Sequence, residues 1–515
     1  MKLRGPTWAL VGLAAAGFVA LSASASLAVN NIYESDSGLS EGLNATYAPS
    51  GPNLNPNGIG QFLLGSYYDV RVVDGDSQIN NIQIINTNTN NSTLPGGACD
   101  DDDRIDGVNG GGSCYDPDGG ILAKVRFRES KTSKEVLDFV IALSCGEVWA
   151  GRLALNGTTG LPEISSSFPI VTSFSGVSVT TSPAFRDSAQ GFAPTGIPTG
   201  LTAEDIQRGH FEVVAMESLP CEPDSGKLSL DGNVWTRPRG TPSNAIGGEV
   251  FLVRAGAGVS HAYNLEALSN FAPWNEGPVT PVNLFAGDAP KFSDCTALDQ
   301  TSVSLTGDQC VAGANMALSK SRLIAQYDVE DTTAGRTLVV VTFPTKYENC
   351  NATNGTWTGP LPANGPFECG ATEEVTCTIY DRLENFFEEE EGFISPSPEA
   401  GRCTLNREVN VIQLAQSAAD ADGRADQVFA TGSLPAGDSG WLDLDLARNL
   451  SGTVIHKQVI GDGENNVLGI YMGGYHGMPT VGLVIQEFFN GSVGGVYGNT
   501  VPPLYEQTLL RPGES

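Results

Sequence analysis

Residues 119–155 read GGILAKVRFRESKTSKEVLDFVIALSCGEVWAGRLAL, and this stretch decides the fold class. Val125 and Phe127 alternate with Lys124, Arg126 and Arg128, a period of two that is typical of a strand with one buried face. After a polar turn at residues 130–133, apolar residues alternate again from 136 to 143. The two runs together predict an antiparallel β-hairpin.

Similar patterns recur on both sides of this hairpin. Residues 61–73 and 79–86 predict a second hairpin turned at 74–76, and residues 247–271 predict a third around Gly256-Ala257-Gly258. Further strands are predicted at 210–219, 337–343, 375–381, 408–414, 441–446 and 467–489. We therefore expect an all-β protein of two or more β-sandwich modules, Ig-like or jelly-roll-like, with long loops and disulfide-tied inserts.

The first 28 residues predict an export signal. Lys2 and Arg4 precede an apolar run over residues 8–21, and small residues at 23–28 suit a cleavage site. A single anchoring helix is the alternative, although the run is near the lower length limit for spanning a bilayer. No later stretch is long and apolar enough to span a membrane. The prediction is a secreted or cell-surface protein, with the periplasm as the alternative location.

The length of 515 residues predicts more than one domain. We expect a first β-sandwich module over residues 29–235, which includes the acidic disulfide loop 99–114. A connecting hairpin and loop region follows at 236–322, where proline and glycine are frequent towards residue 290. A second β-sandwich module is predicted over 323–515, because a cysteine-bearing insert again separates paired strands there.

The charge of the chain restricts its partners. The formal net charge is −31, and removal of the signal would take it to about −33. Such a chain repels phosphate backbones and anionic lipid, so nucleic acid and bare membrane are not expected as partners. Divalent cations are favoured.

Ten cysteines lie downstream of the signal, which fits oxidation outside the cytoplasm. Pairing of neighbours predicts the disulfides Cys99–Cys114, Cys295–Cys310, Cys350–Cys369, Cys377–Cys403 and Cys145–Cys221, while the sequence leaves the other connectivities open. No CxxC occurs and the four histidines are scattered, so a zinc or haem site is not expected.

The loop CDDDDRIDGVNGGGSC at residues 99–114 holds the strongest candidate site. Adjacent carboxylates repel each other, and a hard cation that takes six to eight oxygen ligands would offset that repulsion. The candidate calcium ligands are Asp100, Asp102, Asp103, Asp106, Asp116 and Asp118. The spacing does not match an EF-hand loop, and a solvated acidic loop is the alternative. Asp420, Asp422 and Asp426 form a weaker candidate that also suits a turn.

Catalytic motifs are weak. Gly437-Asp438-Ser439-Gly440 resembles the nucleophile motif of chymotrypsin-like proteases, but neither His210 nor His261 lies in a matching context. We therefore expect no enzyme. An unrecognised hydrolase remains an alternative, because two carboxylates can be placed among 59 acidic residues without a motif.

Several segments carry a family resemblance: SYYDVR, AKVRFRESKTSKEVLDF, YNLEALSNF, VVVTFPTK, ISPSP and EVNVIQL. They resemble a family of exported proteins of Gram-negative bacteria, usually described only as uncharacterised or cell-surface proteins. The resemblance spans most of the mature chain in the same order and implies a location in the envelope. It transfers no catalytic residue, and the acidic cysteine loop is an addition to the pattern.

Together these features predict an exported structural or adhesive protein, calcium-stabilised and self-assembling, with copies of itself or a surface polymer as partner. A sheet edge that accepts a strand from a neighbouring copy, such as the arm at residues 30–59, would give an assembly mechanism. A carbohydrate-binding surface module is the alternative. It would use aromatic residues, for which Tyr67, Tyr68, Trp149 and Trp441 are candidates, while core positions are the competing interpretation.

Overall fold

The computed structural model describes the chain from residue 53 to residue 510 with gaps. The described residues are 53–73, 75–88, 119–131, 134–166, 168, 170–175, 178–182, 189–219, 244–269, 318–320, 322–329, 335–343, 373–381, 386–387, 402–405, 407–414, 424–426, 439–446, 454–461, 467–476, 478–490, 495–506 and 508–510. The predicted signal at residues 1–28 lies outside them. Within them the protein is all-β, and its strand pairings are antiparallel.

Two large sheets are built from the first half of the chain. Sheet I contains β1 (Asn53–Asn55), β3 (Phe62–Asp69), β6 (Gly120–Glu129), β7 (Glu135–Leu143), β10 (Ile170–Ser175), β11 (Ser178–Ser182), β13 (Arg208–Leu219) and β16 (Glu266–Ser269), in the order β1-β16-β3-β13-β6-β7-β10-β11. Sheet II contains β5 (Asp76–Asn86), β8 (Val148–Leu155), β9 (Pro162–Ser166), β12 (Ala189–Gly191), β14 (Ile246–Arg254) and β15 (Val259–Asn264), in the order β12-β9-β8-β5-β14-β15. Two short strands extend sheet II: β2 (Ile59–Gly60) pairs with β14, and β4 (Val72–Val73) pairs with β5.

The second half of the chain forms two further main sheets. Sheet III contains β19 (Arg336–Thr342), β23 (Val409–Leu414), β28 (Val481–Asn490) and β29 (Gly495–Val501), in the order β23-β19-β28-β29. Sheet IV contains β18 (Arg322–Asp328), β20 (Glu373–Asp381), β21 (Phe386–Phe387), β22 (Arg402–Leu405), β24 (Ser439–Asp445) and β30 (Leu504–Glu506), in the order β21-β20-β24-β18-β30, with β22 on β20.

Smaller elements complete the described fold. Strand β17 (Ser319–Lys320) pairs with β27 (Met478–Pro479), and β25 (Val454–Gly461), β26 (Val467–His476) and β31 (Thr508–Leu510) form a three-stranded sheet. A short helix, α1 (Ala203–Ile206), begins with Thr202, whose hydroxyl accepts a hydrogen bond from the backbone N–H of Asp205. Among the described residues, no helix has the length and apolar character needed to cross a membrane.

Sheets I and II face each other across the first hydrophobic core, as a sandwich requires. The core contains an aromatic cluster: Tyr68, Phe127, Phe139, Trp149, Phe192 and Phe211. The rings of Phe127 and Phe192 lie 5.0 Å apart, and Phe139 lies 5.7 Å from Trp149. Tyr67, Tyr68 and Trp149 therefore take the core positions that competed with a surface role.

Sheet III lies against both cores. Leu338 and Val340 of β19 belong to the first core, whereas Val339 and Val341, which alternate with them, belong to a second core shared with sheet IV. A strand buried on both faces reads as a continuous apolar run, which is what the sequence TLVVVT shows. The chain is thus an all-β assembly of packed antiparallel sheets. The domain boundaries named above remain predictions.

The hairpin predicted within residues 119–155 is confirmed, but its one-sided burial is wrong. Strands β6 and β7 pair with Val125 opposite Phe139, as the alternation requires. Every residue of β6 is nevertheless buried, including Lys124, Arg126 and Arg128. Alternation shows which residues share a face, but it does not show whether a charged face meets solvent or buried partners.

The hairpin predicted from residues 61–73 and 79–86 is only partly correct. Val73 at the end of β4 pairs with Asp76 at the start of β5, but β3 lies in sheet I and β5 lies in sheet II. Where the chain passes between the sheets, the Asn80 side chain accepts a hydrogen bond from the Asp69 N–H (3.0 Å) and donates one to the Asp69 carbonyl (2.6 Å). Hydrogen bonds of the Asn80 side chain therefore take the place of the backbone hydrogen bonds that a simple hairpin would have formed at Asp69.

The hairpin predicted within residues 247–271 is confirmed as β14 and β15. Its turn is held by a residue from the preceding corner, because the Asp76 carboxylate accepts hydrogen bonds from the N–H groups of Gly256 and Ala257, each at 2.8 Å. A Cβ on Gly256 would lie 2.8 Å from that carboxylate, so glycine gives the carboxylate its close approach.

We expect Gly65→Ala to destabilise the first core. A Cβ at Gly65 in β3 would lie 2.1 Å from the Phe211 ring, which is locked in the aromatic cluster. The expected loss is about 1–3 kcal/mol of unfolding free energy, as for other overpacked cores. Urea unfolding measures it. Gly157→Ala is the matched control, since a Cβ at Gly157 would meet nothing within 4 Å, and equal losses in the two variants would contradict the prediction.

Candidate functional site

The acidic loop predicted to bind calcium lies outside the described residues, as do all six of its candidate ligands: Asp100, Asp102, Asp103, Asp106, Asp116 and Asp118. The structure does describe the residues on either side of the segment 89–118, which contains the loop. The side-chain amides of Asn86 and Asn88 both donate to the carbonyl of Gly119, at 2.8 and 3.1 Å. Residues 88 and 119 are therefore held together at one end of the sandwich. Among the described residues, no group of three or more His, Cys, Asp or Glu could hold a metal ion.

Two of the ten cysteines have described side chains. Cys145 and Cys377 are both disulfide-bonded. In the backbone register, Cys403 of β22 lies opposite Val375, two residues from Cys377. The other seven cysteines, at 99, 114, 221, 295, 310, 350 and 369, lie outside the described residues, so the predicted pairing remains a prediction.

The most concentrated buried chemistry surrounds one carboxylate, Glu487 of β28. Its Oε2 lies 2.7 Å from Nε of Arg336, 2.9 Å from Nη2 of Arg424 and 3.1 Å from Nη1 of Arg254. Its Oε1 lies 3.3 Å from Nε2 of His261. The carboxylate is completely buried and the three arginines are nearly so. These five residues come from sheets II and III and from the segment 424–426.

Electrostatics keeps Glu487 ionised. Burial alone would raise the pKa of its carboxyl group, but His261, Arg424 and Arg336 outweigh burial and hold the pKa well below the ordinary value. A buried charge of this kind is tolerated because charge-assisted hydrogen bonds replace its hydration. Gly498 of β29 lets the cluster close, since a Cβ there would lie 2.1 Å from the His261 ring.

The Arg424 backbone extends the cluster towards sheet I. Its carbonyl accepts hydrogen bonds from Arg71 at 2.8 Å and from Arg208 at 3.4 Å. Arg71 forms a two-point ion pair with Asp69, at 2.8 and 3.0 Å. Arg71 also outweighs burial at Asp69 and lowers the pKa of that carboxyl group. Arg208 forms a two-point ion pair with Asp426.

A last group joins α1 to sheet III. Arg407 lies 2.8 Å from Asp205 and 3.4 Å from Asp426, and the backbone N–H of Val409 donates to the Ser130 carbonyl at 3.0 Å. We call the whole set the ionic network. It consists of Asp69, Arg71, Asp205, Arg208, Arg254, His261, Arg336, Arg407, Arg424, Asp426 and Glu487, and it links sheets I, II and III.

A second buried set of charges lies on β6 and its neighbours. Arg128 Nε lies 2.9 Å from Glu212, Arg126 lies 3.5 Å from the same carboxylate, and Lys124 lies 2.5 Å from Asp138. These pairs explain why a face with three cations can be buried.

His210 lies on the same face and behaves differently. It is opposite Arg128 in the register, and within the described part of the chain neither ring nitrogen has a hydrogen-bond partner. Burial, aided by the charge of Arg128, lowers the pKa of His210 from 6.5 to about 3. The ring is therefore held neutral at physiological pH.

The remaining candidates from the sequence are the aspartates at 420, 422 and 426, the Ser439 motif and Trp441. Asp426 binds arginines, while Asp420 and Asp422 lie outside the described residues. Ser439 lies in β24 opposite Asp328, and residues 437–438 of its motif are not described. Trp441 is half-buried and stacks on Tyr380 with ring centroids 4.0 Å apart.

Sequence reasoning missed the ionic network apart from Asp426. Its members lie up to 418 positions apart, between Asp69 and Glu487, and no local motif joins them. One signal was available: charged residues interrupt strongly apolar strands, as Glu487 does in VGLVIQEFF and Arg254 does at the end of GGEVFLVR. Such positions favour buried ion pairs, but the sequence does not identify the partner.

No protein-family model, curated protein or solved structure matches this chain. Its function is therefore argued from the arrangement of its own residues.

We expect Glu487→Gln to destabilise the protein strongly. The variant keeps the size of the side chain but leaves three buried guanidinium groups without their shared carboxylate. Removal of one partner from a buried pair costs roughly 3–5 kcal/mol, and this should appear as a lower urea midpoint. Glu204→Gln is the control because Glu204 is exposed. A midpoint for Glu487→Gln within the error of the control would show that the cluster is dispensable.

We also expect acid sensitivity from His210. The folded-state pKa is about 3 and the unfolded value is 6.5, so only the unfolded chain takes up the proton between them. Stability is then fully present above pH 6.5 and falls as the pH drops towards 3, by up to about 1.4 kcal/mol per pH unit. Comparison of unfolding free energies near pH 7 and pH 5 measures this change.

The variant His210→Leu should lose part of that pH dependence, because leucine takes up no proton. Its free energy of unfolding at neutral pH serves as its own reference, so a general loss of stability does not mask the result. The same decline between pH 7 and pH 5 in His210→Leu and in the unsubstituted protein would contradict the assignment.

Proposed function

We propose that the protein is an exported structural or adhesive component of the cell surface, stabilised by calcium and able to assemble with copies of itself. The ionic network is the observation that carries this proposal. Its buried charged groups are engaged with one another across three sheets, so they serve to hold the sheets together. Buried ion pairs that stabilise an assembly of sheets are consistent with a structural component, and they do not bear on catalysis.

The charge distribution supports an extracellular protein that meets divalent cations. Within the described ranges, nine of the 28 basic residues and six of the 59 acidic residues are buried. This leaves 19 basic residues against 53 acidic ones for the rest of the molecule. The excess of carboxylates is therefore greater outside the buried set than the net charge indicates, and divalent cations would reduce the repulsion between them.

The acidic loop is the proposed place for calcium. Asn86 and Asn88 donate hydrogen bonds to the Gly119 carbonyl, so the residues that flank the segment containing the loop are held close together. This lowers the entropy that a cation would have to remove when it orders the segment. We propose Asp100, Asp102, Asp103, Asp106, Asp116 and Asp118 as the ligands, since carboxylate oxygens are the ligands that calcium prefers.

Assembly is proposed to use the free end of sheet I at β11. The sequence predicts the arm at residues 30–59 as the strand donor, but its described parts already pair within the chain, β1 with β16 and β2 with β14. In the described part of the chain, β11 is the last strand of sheet I at the opposite end. Its sequence SVTTS carries no charge and no proline, the usual features that protect an edge strand from pairing with another chain.

We expect the purified protein to self-associate with increasing concentration, and more strongly with calcium. Thr181→Lys should reduce this association at least tenfold, because a charge on an edge strand opposes pairing with a second copy. Asp102→Asn combined with Asp106→Asn should remove the calcium dependence. Sedimentation velocity with and without calcium measures both effects.

Thr195→Lys is the matched control, because Thr195 is exposed in a turn and does not belong to β11. It should assemble as the unsubstituted protein does. A protein that stays monomeric at all concentrations, with and without calcium, would contradict the proposed assembly. Equal association of Thr181→Lys and the control would contradict the role of β11.

A further inference from the structure

The two faces of sheet II differ in what their polar residues do. On the face towards the first core, Asn80 and Asn86 are buried and form hydrogen bonds to the backbone. Asn81 and Gln83 alternate with buried Ile82 and belong to the opposite face, where they are half-buried. We call this opposite face the outer face of sheet II and define it by Asn81, Gln83, Arg152, Glu249, Phe251 and Asn264.

Strand register brings these residues together in two rows. In the first row, Asn81 lies opposite Arg152 on β8 and opposite Phe251 on β14. In the second row, Gln83 lies opposite Glu249, which lies opposite Asn264 on β15. Directly opposed residues in antiparallel strands have Cβ atoms about 4.5–5.5 Å apart, so the outer face is a continuous surface.

In the described part of the chain, the polar side chains that define the outer face have no internal hydrogen-bond or ion-pair partners. Arg152 and Asn264 are exposed, and Glu249 is half-buried. None of these three, and neither Asn81 nor Gln83, forms a side-chain hydrogen bond or ion pair within the described part of the chain. This contrasts with the ionic network, in which charged side chains are engaged with each other.

We propose that the outer face of sheet II binds a neutral polysaccharide. Amide, guanidinium and carboxylate groups side by side supply both donors and acceptors, which is what the hydroxyl groups of a sugar require. The Phe251 ring gives an apolar surface for the C–H face of a sugar ring. The inference rests on the proposed function, because it names the polymer that an adhesive protein would hold.

Charge and pattern both favour this partner. The outer face carries Arg152 together with Glu249 and Glu163, and the chain as a whole carries a net charge of −31, so an anionic polymer would be repelled. On the same face, half-buried Val253 lies opposite half-buried Ile79, next to Phe251. This apolar area beside the polar residues is open to the C–H faces of more than one sugar ring.

Affinity electrophoresis tests the proposal. Native gels are cast with hydroxyethylcellulose, laminarin or dextran as neutral polymers, and with alginate as an anionic one. At least one neutral polymer should retard the unsubstituted protein, and alginate should not. Phe251→Ala and Asn81→Ala should each weaken the retardation at least fivefold, while circular dichroism confirms that they remain folded.

Ile197→Ala is the matched control, because Ile197 is an exposed apolar residue outside sheet II. It should bind as the unsubstituted protein does. The proposal is overturned if no neutral polymer retards the protein, if alginate retards it equally, or if Phe251→Ala and Asn81→Ala bind like the control. Loss of polysaccharide binding with intact self-association would overturn this inference alone, whereas a protein that binds but never self-associates would overturn only the assembly.

Discussion

The structure depends on a single buried carboxylate being shared by several buried arginines. An arginine side chain loses its hydration when sheets close over it, and an opposite charge at hydrogen-bonding distance is the main compensation. Glu487 supplies that compensation to Arg254, Arg336 and Arg424 together, and these residues come from both halves of the chain. Loss of this carboxylate is therefore expected to weaken the packing of sheet II on sheet III. Apolar residues would pack in the same space with less specificity, because they would not fix which arginine meets which strand.

The position of the ionic network follows from the shape of the cores. Sheet III has apolar residues on both faces, and it is shared by the two hydrophobic cores. Apolar packing is not directional, so it cannot by itself set how sheet III is placed against sheets I and II. Ion pairs and hydrogen bonds are directional, and those of Arg71, Arg208 and Arg407 lie where sheet III and the segment 424–426 meet sheet I. Burial of so many cations also leaves the remaining molecule more acidic.

Much of the fold could be predicted from the sequence, since it rests on local patterns. The alternation in residues 123–143 gave the β6–β7 hairpin and its facing residues, and the glycines at 256 and 258 gave the β14–β15 turn. The errors arose where a strand changes its partner. No local pattern shows that β3 belongs to sheet I while β5 belongs to sheet II. The residues between them would also suit the turn of a plain hairpin. The ionic network could not be predicted for a related reason: each charged residue shows that it needs a partner, but the partner lies on a distant strand.

In the described part of the chain, some polar side chains form internal hydrogen bonds and others form none. This difference is the clearest guide to which surface binds a partner. Inside the molecule, polar side chains such as Asn80 and Asn86 replace missing backbone hydrogen bonds, and their removal would leave buried groups unpaired. On the outer face of sheet II, Asn81 and Gln83 stand between strands whose ladders are already complete, so they contribute nothing comparable to the fold. Alternation along β5 places both kinds of residue on one strand, with the sheet's two faces serving separate purposes. If β5 served only to cover the core, any polar residue would be suitable at the positions on its outer face. The grouping of amides, an arginine, a glutamate and an aromatic ring on that side is what a neutral polymer can use.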